Sequence, residues 1–353
     1  MSATWGNRFK VTVFGESHGA AIGVVIDGVP AGIELDMQAI ERDMLRRSAK
    51  GKEGLATARR EEDKAEIVSG YFNNRTTGTP LTAIIRNGDT RSGDYARTAS
   101  LMRPGHSDYG YYVKSGGFND YRGGGHSSGR LTAPLVFAGA VAKQILADRG
   151  VKIGAHILCV ADVKDAAFDA LAPQLDAVDN NGMLDSSLWE QVKSRVEAAA
   201  AEGDSVGGVI ECAICGLPAG AGEPLFDSVE SAISHMMFSV PAVKGIQFGL
   251  GYAMCGMKGS EVNDSFFYDG DSVATRTNNN GGVLGGITTG MPVIFNVAIK
   301  PTASIFKEQD TIDVSKHCDA RLALHGRHDP CIVLRAVPVI EAAAAIAVCD
   351  LTV

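Results

Sequence analysis

Residues 14–19, FGESHG, place a carboxylate, a hydroxyl and an imidazole on the consecutive residues Glu16, Ser17 and His18. The core of this stretch fits the G-x-S-x-G pattern of a serine-hydrolase nucleophile elbow, which needs a strand before the serine and a helix directly after it. RFKVTVF before it predicts a strand, but the β-branched AAIGVVIDGVP after it predicts a second strand. The pattern therefore favours a strand-end turn that presents Ser17 and His18 to a ligand. A hairpin whose histidine only caps backbone is the alternative.

A second segment, RPGHSDYGYYVKSGGFNDYRGGGHSSGR at 103–130, combines glycine with arginine, histidine and serine. Its GGGHSS part is typical of a loop whose N–H groups and hydroxyls surround a phosphate. The segment runs into a predicted helix at 131–148, whose N-terminus would favour an anion. Its spacing is neither that of a P-loop nor that of the G-x-G-x-x-G dinucleotide-binding turn.

Two further segments have a similar composition. NNNGGVLGGITTG leads into a predicted strand that is followed by KPTAS at 300–304, with one cation and two hydroxyls. GRHDP at 326–330 places three ionisable side chains in a row. Glycine allows the backbone to approach a ligand closely. Each segment alone could be a surface loop, but their shared composition favours one common anion site.

The formal net charge of −8 makes the whole molecule a poor match to a nucleic-acid backbone. The basic residues are nevertheless clustered, which suits a small, multiply charged anion. An RNA-binding module that uses Arg42 to Arg60 is an alternative, and it would bind RNA in a salt-sensitive way.

The seven cysteines are scattered through apolar segments, and the polar start MSATWGNRFK has no secretory signal, so we expect reduced thiols in a cytoplasmic protein. Cys212 and Cys215 have CxxC spacing within a predicted strand, where they face opposite ways, and no second CxxC completes a zinc site. We expect no bound metal. No apolar run approaches the roughly 18 residues of a membrane helix.

Hydrophobic patterning predicts the elements that position these segments. Strands are predicted at 8–14, 20–30, 151–163, 209–215 and 289–301. Helices are predicted from Asp36 through Arg47, at 131–148, from Ser187 through Ala201 with a Ser187–Glu190 capping box, at 227–237, and near 313–324 and 338–350. Residues 48–132 are expected to be mostly loop and short strand. The irregular alternation favours an α+β fold, and the lack of a linker favours a single domain over residues 1–353.

Together these segments resemble the chorismate synthase family. FGESHG, RPGHSDY, YRGGGHSS, PAVKG, GGVLGGI, KPTAS and GRHDPC stand in the family's order across residues 6–350. The resemblance implies conversion of 5-enolpyruvylshikimate 3-phosphate to chorismate by anti-1,4-elimination of phosphate, with reduced FMN required. It also implies a β-α-β sandwich that assembles as a homotetramer. Some members reduce their own flavin with NADPH, an activity that nothing in this sequence indicates.

The resemblance also assigns residues. A substrate with a phosphate and two carboxylates suits bidentate guanidinium contacts. Substrate binding is assigned to Ser17, Arg46, Arg47, Arg103, Arg130 and Arg327. His18 and His106 match the family's two active-site histidines, and Asp329 matches an acid that helps proton removal. Flavin contacts are assigned to His126, Ser127, Ser128, Pro241, Ala242, Gly285, Lys300, Pro301, Thr302, Ala303, Ser304 and Arg327.

The sequence departs from the family pattern at several positions. His126 stands where the family has arginine, so a fixed positive charge becomes conditional on pH. Gly129 and Leu131 replace the usual alanine and glutamate. The run RRSAKGKEG differs from the common RRxPG form, which leaves open whether Arg46 or Arg47 contacts the ligand.

Overall fold

The computed structural model describes residues 3–49, 55, 63–88, 99–324 and 328–353. In these residues the α-helices are α1 (Met37–Arg47), α2 (Asp108–Ser115), α3 (Thr132–Ala147), α4 (Trp189–Ala201), α5 (Val229–Ser239), α6 (Gly259–Val262) and α7 (Val333–Thr352). The strands are β1 (Thr4–Trp5), β2 (Lys10–Gly15), β3 (Ala21–Asp27), β4 (Ala65–Ser69), β5 (Tyr71–Phe72), β6 (Arg75–Thr76), β7 (Leu81–Arg86), β8 (Lys152–Val160), β9 (Val163–Lys164), β10 (Gly208–Cys215), β11 (Val243–Phe248), β12 (Phe266–Asp269), β13 (Ser272–Thr275), β14 (Val283–Leu284), β15 (Ile287–Thr288), β16 (Val293–Ile299), β17 (Gln309–Asp313) and β18 (Cys318–Leu322).

Two antiparallel sheets enclose a layer of helices. The first sheet has the order β1-β2-β3-β7-β4, and the second has the order β11-β16-β10-β8-β9. Helix α3 packs against the first sheet, while α7 packs against β8 and β10 of the second sheet and against α3. This arrangement is a β-α-β sandwich, and the predicted α+β class is confirmed.

Apolar residues around the whole circumference of α3 and α7 explain why these helices lie in the middle. Helix α3 buries residues on every face, and the Ala342–Ala347 run of α7 is buried throughout. A helix that is apolar all round is stable in water only when it is covered on all sides. The two helices approach each other closely at Gly139, where an added Cβ would lie 2.2 Å from the Cβ of Ala342.

Most of the predicted elements are confirmed, including the Asp36 cap of α1, whose carboxylate accepts from Ala39 N at 2.9 Å. The helix predicted near 313–324 is wrong, because 309–322 form the hairpin β17–β18. Asp313 there accepts from Ser315 N at 3.0 Å and from Lys316 N at 3.3 Å. An Asp at a turn and an Asp at a helix start satisfy backbone N–H groups in the same way, so the local pattern did not distinguish them.

Two smaller differences concern helix starts. The predicted Ser187–Glu190 capping box is wrong, because Asp185 accepts from Ser187 N at 2.9 Å and starts a short 3₁₀ turn before α4. Helix α2 lies in a region expected to be mostly loop and short strand. Its internal glycine, Gly110, disfavours a helix on propensity alone.

Candidate active site

A cavity of about 960 Å³ lies where the two sheets and the helix layer meet. Its walls come from the β2–β3 turn, residues 103–107 and 123–132, the end of α5, the segment after β16, and the start of α7. This volume is at the upper end of the usual range for ligand sites.

Most of the residues predicted for the site line this cavity: His18, Arg47, Arg103, His106, His126, Ser127, Ser128, Arg130, Pro241, Ala242, Lys300, Pro301, Thr302, Ala303, Ser304 and Asp329. Ser17, Arg46 and Gly285 do not line it. Ser17 is fully buried behind His18, and Gly285 lies in the β14–β15 turn. Arg327 lies outside the described residues.

The β2–β3 turn holds His18 against the loop at 122–128. Ser17 Oγ donates to the carbonyl oxygen of Arg122 at 3.1 Å and lies 3.0 Å from His18 Nδ1. Because the hydroxyl has one proton and donates it to that carbonyl oxygen, it accepts from Nδ1 of His18. The strand–turn–strand geometry and the complete burial of Ser17 exclude a nucleophile elbow.

The loop at 122–128 approaches the histidines through three consecutive glycines. Gly123, Gly124 and Gly125 have φ values of 60°, 90° and 52°, which side chains rarely adopt. A Cβ on Gly123 would lie 2.4 Å from His18 Cε1. His126 Nδ1 donates to the carbonyl oxygen of Gly15 at 2.8 Å, which ties the end of the loop to β2.

Two arginines of the cavity wall share one buried carboxylate. Arg47 donates to Asp63 Oδ2 at 2.7 Å and to Thr132 Oγ1 at 2.9 Å, and Arg130 donates to Asp63 Oδ1. Burial opposes ionisation of Asp63, but Arg47 and Arg130 lower its pKa below the usual value. Burial lowers the pKa of Arg47 to about 10, against the opposing effect of Asp63, and Arg47 is still protonated near neutral pH.

A second carboxylate, Asp108, contacts both Arg103 and His106. Opposite them, Lys300 Nζ donates to the carbonyl oxygen of Gly105, and Ser304 Oγ lies 3.5 Å from Arg103 Nη1. A hydrogen bond therefore joins the segment after β16 to the RPGH segment, which lies nearly 200 residues away along the chain.

The segment just before α7 and the first turn of α7 contribute an ion pair and a partly buried imidazole. Arg335 Nη1 donates to Asp329 at 2.8 Å, and its Nε donates to the carbonyl oxygen of Arg47 at 3.0 Å. Burial, together with the nearby Arg103 and the smaller effect of His106, lowers the pKa of His328 and so favours its neutral form.

Several ionisable residues of this site were not assigned from the sequence: Asp63, His328 and Arg335 line the cavity, and Asp108 contacts Arg103 and His106. Asp108 had a local signal, because Arg103, His106 and Asp108 fall within six positions. Asp63 had none, since it is separated from Arg47 by 16 positions and meets it only through the fold.

Arg46 points to a second cavity, of about 770 Å³. It donates to both oxygens of Glu341 at 2.7 Å, and Lys143 Nζ donates to Glu341 Oε2 at 2.5 Å. Asp43 contacts Arg46 at 3.1 Å and Lys143 at 2.9 Å. Of the two neighbouring arginines, only Arg47 therefore reaches the cavity that holds the predicted histidines.

Among the described residues, no helix combines the length and the apolar character needed to cross a membrane.

Comparisons with known proteins identify the family of this chain. A model of the chorismate synthase family matches residues 9–353. A chorismate synthase of Chitinophaga pinensis is 48% identical over 347 residues, covering 98% of this chain and 95% of the relative. One of Thermococcus gammatolerans is 44% identical, covering 98% and 96%. A crystal structure of a chorismate synthase superposes with a TM-score of 0.77 at 26% identity, covering 98% of this chain and 92% of that one. The chain therefore belongs to the chorismate synthase family and is an enzyme of that kind, a carbon–oxygen lyase acting on phosphates.

Proposed function

We propose that this enzyme converts 5-enolpyruvylshikimate 3-phosphate to chorismate by 1,4-elimination of phosphate, in the presence of reduced FMN. The observation that carries the proposal is the convergence of His18, Arg47, Arg103, His106 and Asp329 on one cavity. These residues come from four separate segments of the chain, and their side chains match the phosphate, the carboxylates and the proton chemistry of this reaction.

The residues present fit a flavin. The Gly123–Gly125 turn has no side chains, so its backbone lies close to His106, and a Cβ on Gly124 would lie only 3.1 Å from Cε1. Thr302 Oγ1 is buried without a hydrogen-bond partner in the described structure, as is His328 Nε2. Polar atoms in that position usually have a partner, and a bound ligand can supply it.

In the proposed site, FMN is held by the remaining assigned residues, His126, Ser127, Ser128, Pro241, Ala242 and the Lys300–Ser304 segment. When bound in its reduced form, the flavin supplies an electron transiently to the allylic system. Arg47, Arg103 and Arg130 hold the anionic groups of the substrate. One of the two histidines, His18 and His106, holds a proton toward the departing phosphate, and the other lies near the flavin. Asp329, fixed by Arg335, assists proton removal.

We further propose that the enzyme acts in the cytoplasm, in the shikimate pathway to aromatic amino acids, as a single-domain subunit of a homotetramer. Arg327 and Gly285 stay in the proposed flavin set on resemblance alone, and Ser17 serves by orienting His18. Flavin reduction by NADPH is not part of the proposal.

The test is phosphate release from 5-enolpyruvylshikimate 3-phosphate under anaerobic conditions with photoreduced FMN. We expect turnover with reduced FMN, none with oxidised FMN, and a fall in kcat of about 10²-fold or more in His106→Ala. Flavin fluorescence shows separately whether FMN binds. Bound FMN without any phosphate release in the wild-type protein would refute the proposal.

A further inference from the structure

Asp108 receives hydrogen bonds from two cavity residues at once. Its carboxylate accepts from Arg103 Nε at 2.6 Å and from Arg103 Nη2 at 2.7 Å. The same carboxylate lies 2.6 Å from His106 Nδ1. Asp108 is the first residue of α2, and its side chain also accepts from the backbone N–H of Arg103 at 3.2 Å, so it folds back over the RPGH turn.

The carboxylate stays ionised in this setting. Burial alone would raise the pKa of Asp108, but hydrogen bonds from His106 and Arg103 hold the pKa well below its usual range. An ionised carboxylate only accepts hydrogen bonds. His106 Nδ1 therefore carries the proton of that contact, and Nε2 is the nitrogen left for a ligand.

Gly124 lies close to the Cε1–Nε2 edge of the His106 ring. A Cβ on Gly124 would lie 3.3 Å from His106 Nε2 and 3.7 Å from Arg103 Nη2. Gly124 also has φ +90°, so both its backbone conformation and the close contacts of a Cβ disfavour any other residue at this position. The guanidinium of Arg103 has Nε and Nη2 committed to Asp108, and its Nη1 faces Ser304 Oγ at 3.5 Å.

We propose that Asp108 is a positioning residue that fixes the Arg103 guanidinium and the His106 imidazole as one unit at the wall of the larger cavity, with Nδ1 of His106 held by Asp108 and Nε2 left for a ligand. The presence of substrate or flavin at His106 rests on the proposed function, whereas the orientation of the two side chains does not. Orienting carboxylates of this kind hold an imidazole in one tautomer and stabilise its protonated form.

The first experiment measures the tautomer of His106 in the ligand-free protein by long-range ¹H–¹⁵N NMR, with the signal identified by its loss in His106→Gln. In the wild type we expect the Nδ1–H tautomer when the ring is neutral. Asp108→Asn has one neutral acceptor oxygen in place of two carboxylate oxygens, so it cannot accept from both Arg103 nitrogens and from His106 as Asp108 does, and the Nε2–H tautomer should gain population. Asp162→Asn is the matched control, because Asp162 forms a two-point pair with Arg195 at 2.7 and 3.1 Å on an exposed surface.

The second experiment measures steady-state kinetics and thermal unfolding of the same variants. We expect Asp108→Asn to stay folded, to lower kcat by about 10²-fold and to raise KM, while Asp162→Asn behaves like the wild type. A purely structural role would change the unfolding temperature and leave the tautomer and kcat of the folded enzyme unchanged.

The inference is overturned by an Nε2–H tautomer in the wild type, or by an Asp108→Asn protein whose tautomer, kcat and KM equal those of Asp162→Asn. If Asp108→Asn does not fold, the wild-type tautomer decides the question alone. If the wild type releases no phosphate, the proposed function is refuted, but the tautomer measurement still tests the role of Asp108.

Discussion

Arg46 and Arg47 are neighbours in α1, yet each belongs to a different cluster of charges. Arg47 meets Asp63 in the wall of the larger cavity, and Arg46 meets Glu341 at the second cavity. Successive residues of an α-helix are rotated by about 100°, so two adjacent side chains cannot face the same wall. Adjacent residues of the same type can therefore have separate roles, one at the candidate active site and one in the helix layer.

In both clusters one buried carboxylate pairs with two cationic side chains, but the clusters connect different parts of the molecule. Glu341 joins Arg46 of α1 and Lys143 of α3 to α7, so the cluster connects three helices. Asp63 joins Arg47 and Arg130, which both line the larger cavity. We infer that the first cluster serves stability and the second serves ligand binding, and this difference can be tested by breaking each one.

The largest effect is expected at Glu341. Glu341→Ala removes the buried one of the two carboxylates that Arg46 and Lys143 share and leaves only the less buried Asp43. Removing one partner of a buried ion pair costs about 3–5 kcal/mol of unfolding free energy. Urea unfolding measures this loss. The kcat of the remaining folded enzyme should equal that of the wild type. A loss of kcat without a loss of stability would mean that the Glu341 cluster serves activity and not stability.

A second large effect is the acid dependence of the same cluster. Burial opposes ionisation of Glu341, but Lys143 and Arg46 lower its pKa from 4.5 to about 2. A lowered folded-state pKa gives stability that is present above the unfolded value and is lost as the pH falls through the folded value. The unfolding free energy should therefore decrease between about pH 4.5 and pH 2, with a shallower decrease in Glu341→Gln. Equal slopes in the two proteins would contradict the predicted pKa shift.

Arg47→Lys should raise KM for the substrate by about 10- to 100-fold, because lysine keeps the charge but loses the planar fork. The matched variant Arg46→Lys should leave KM unchanged. Steady-state kinetics with reduced FMN compare the two. A larger increase in KM for Arg46→Lys than for Arg47→Lys would contradict the assignment of substrate binding to Arg47.

The smallest effect is expected at Asp43, which contacts the side chains of both Arg46 and Lys143 from the partly exposed edge of the Glu341 cluster. Asp43→Asn should lower the unfolding free energy by about 1 kcal/mol or less, since Glu341 still pairs with both cations. Urea unfolding beside Glu341→Ala gives the comparison. A loss as large as that of Glu341→Ala would mean that Asp43 is the main partner.

Periodic apolar patterns predicted the elements that build the sandwich, because β3, α1 and α3 each bury one face or all faces in a regular way. The sequence pattern predicts a helix where the hairpin at 309–322 lies, because an Asp-led turn and a helix cap use the same local hydrogen bonds. The ordered motifs assign His18, His106 and Lys300 to one site, and the structure places all three on one cavity.

What the sequence could not supply are contacts made only by the fold. Asp63 meets Arg47 and Arg130 from a position with no local pattern, and its φ of +51° is unusual for an aspartate. The different directions of Arg46 and Arg47 depend on where α1 lies between the two clusters. Gly285 carries the family motif yet lies away from the cavity in this structure.

Gly139 has a consequence for the width of the larger cavity, although it lies in the helix layer rather than among the residues that line that cavity. Because the Cβ of any other residue would overlap Ala342, a methyl group at position 139 would push α3 away from α7. Helix α3 packs mainly against the first sheet and α7 packs against the second, so the two sheets would move apart with them. We infer that the gap between the loops that line the cavity depends on the absence of a side chain at this one interior position.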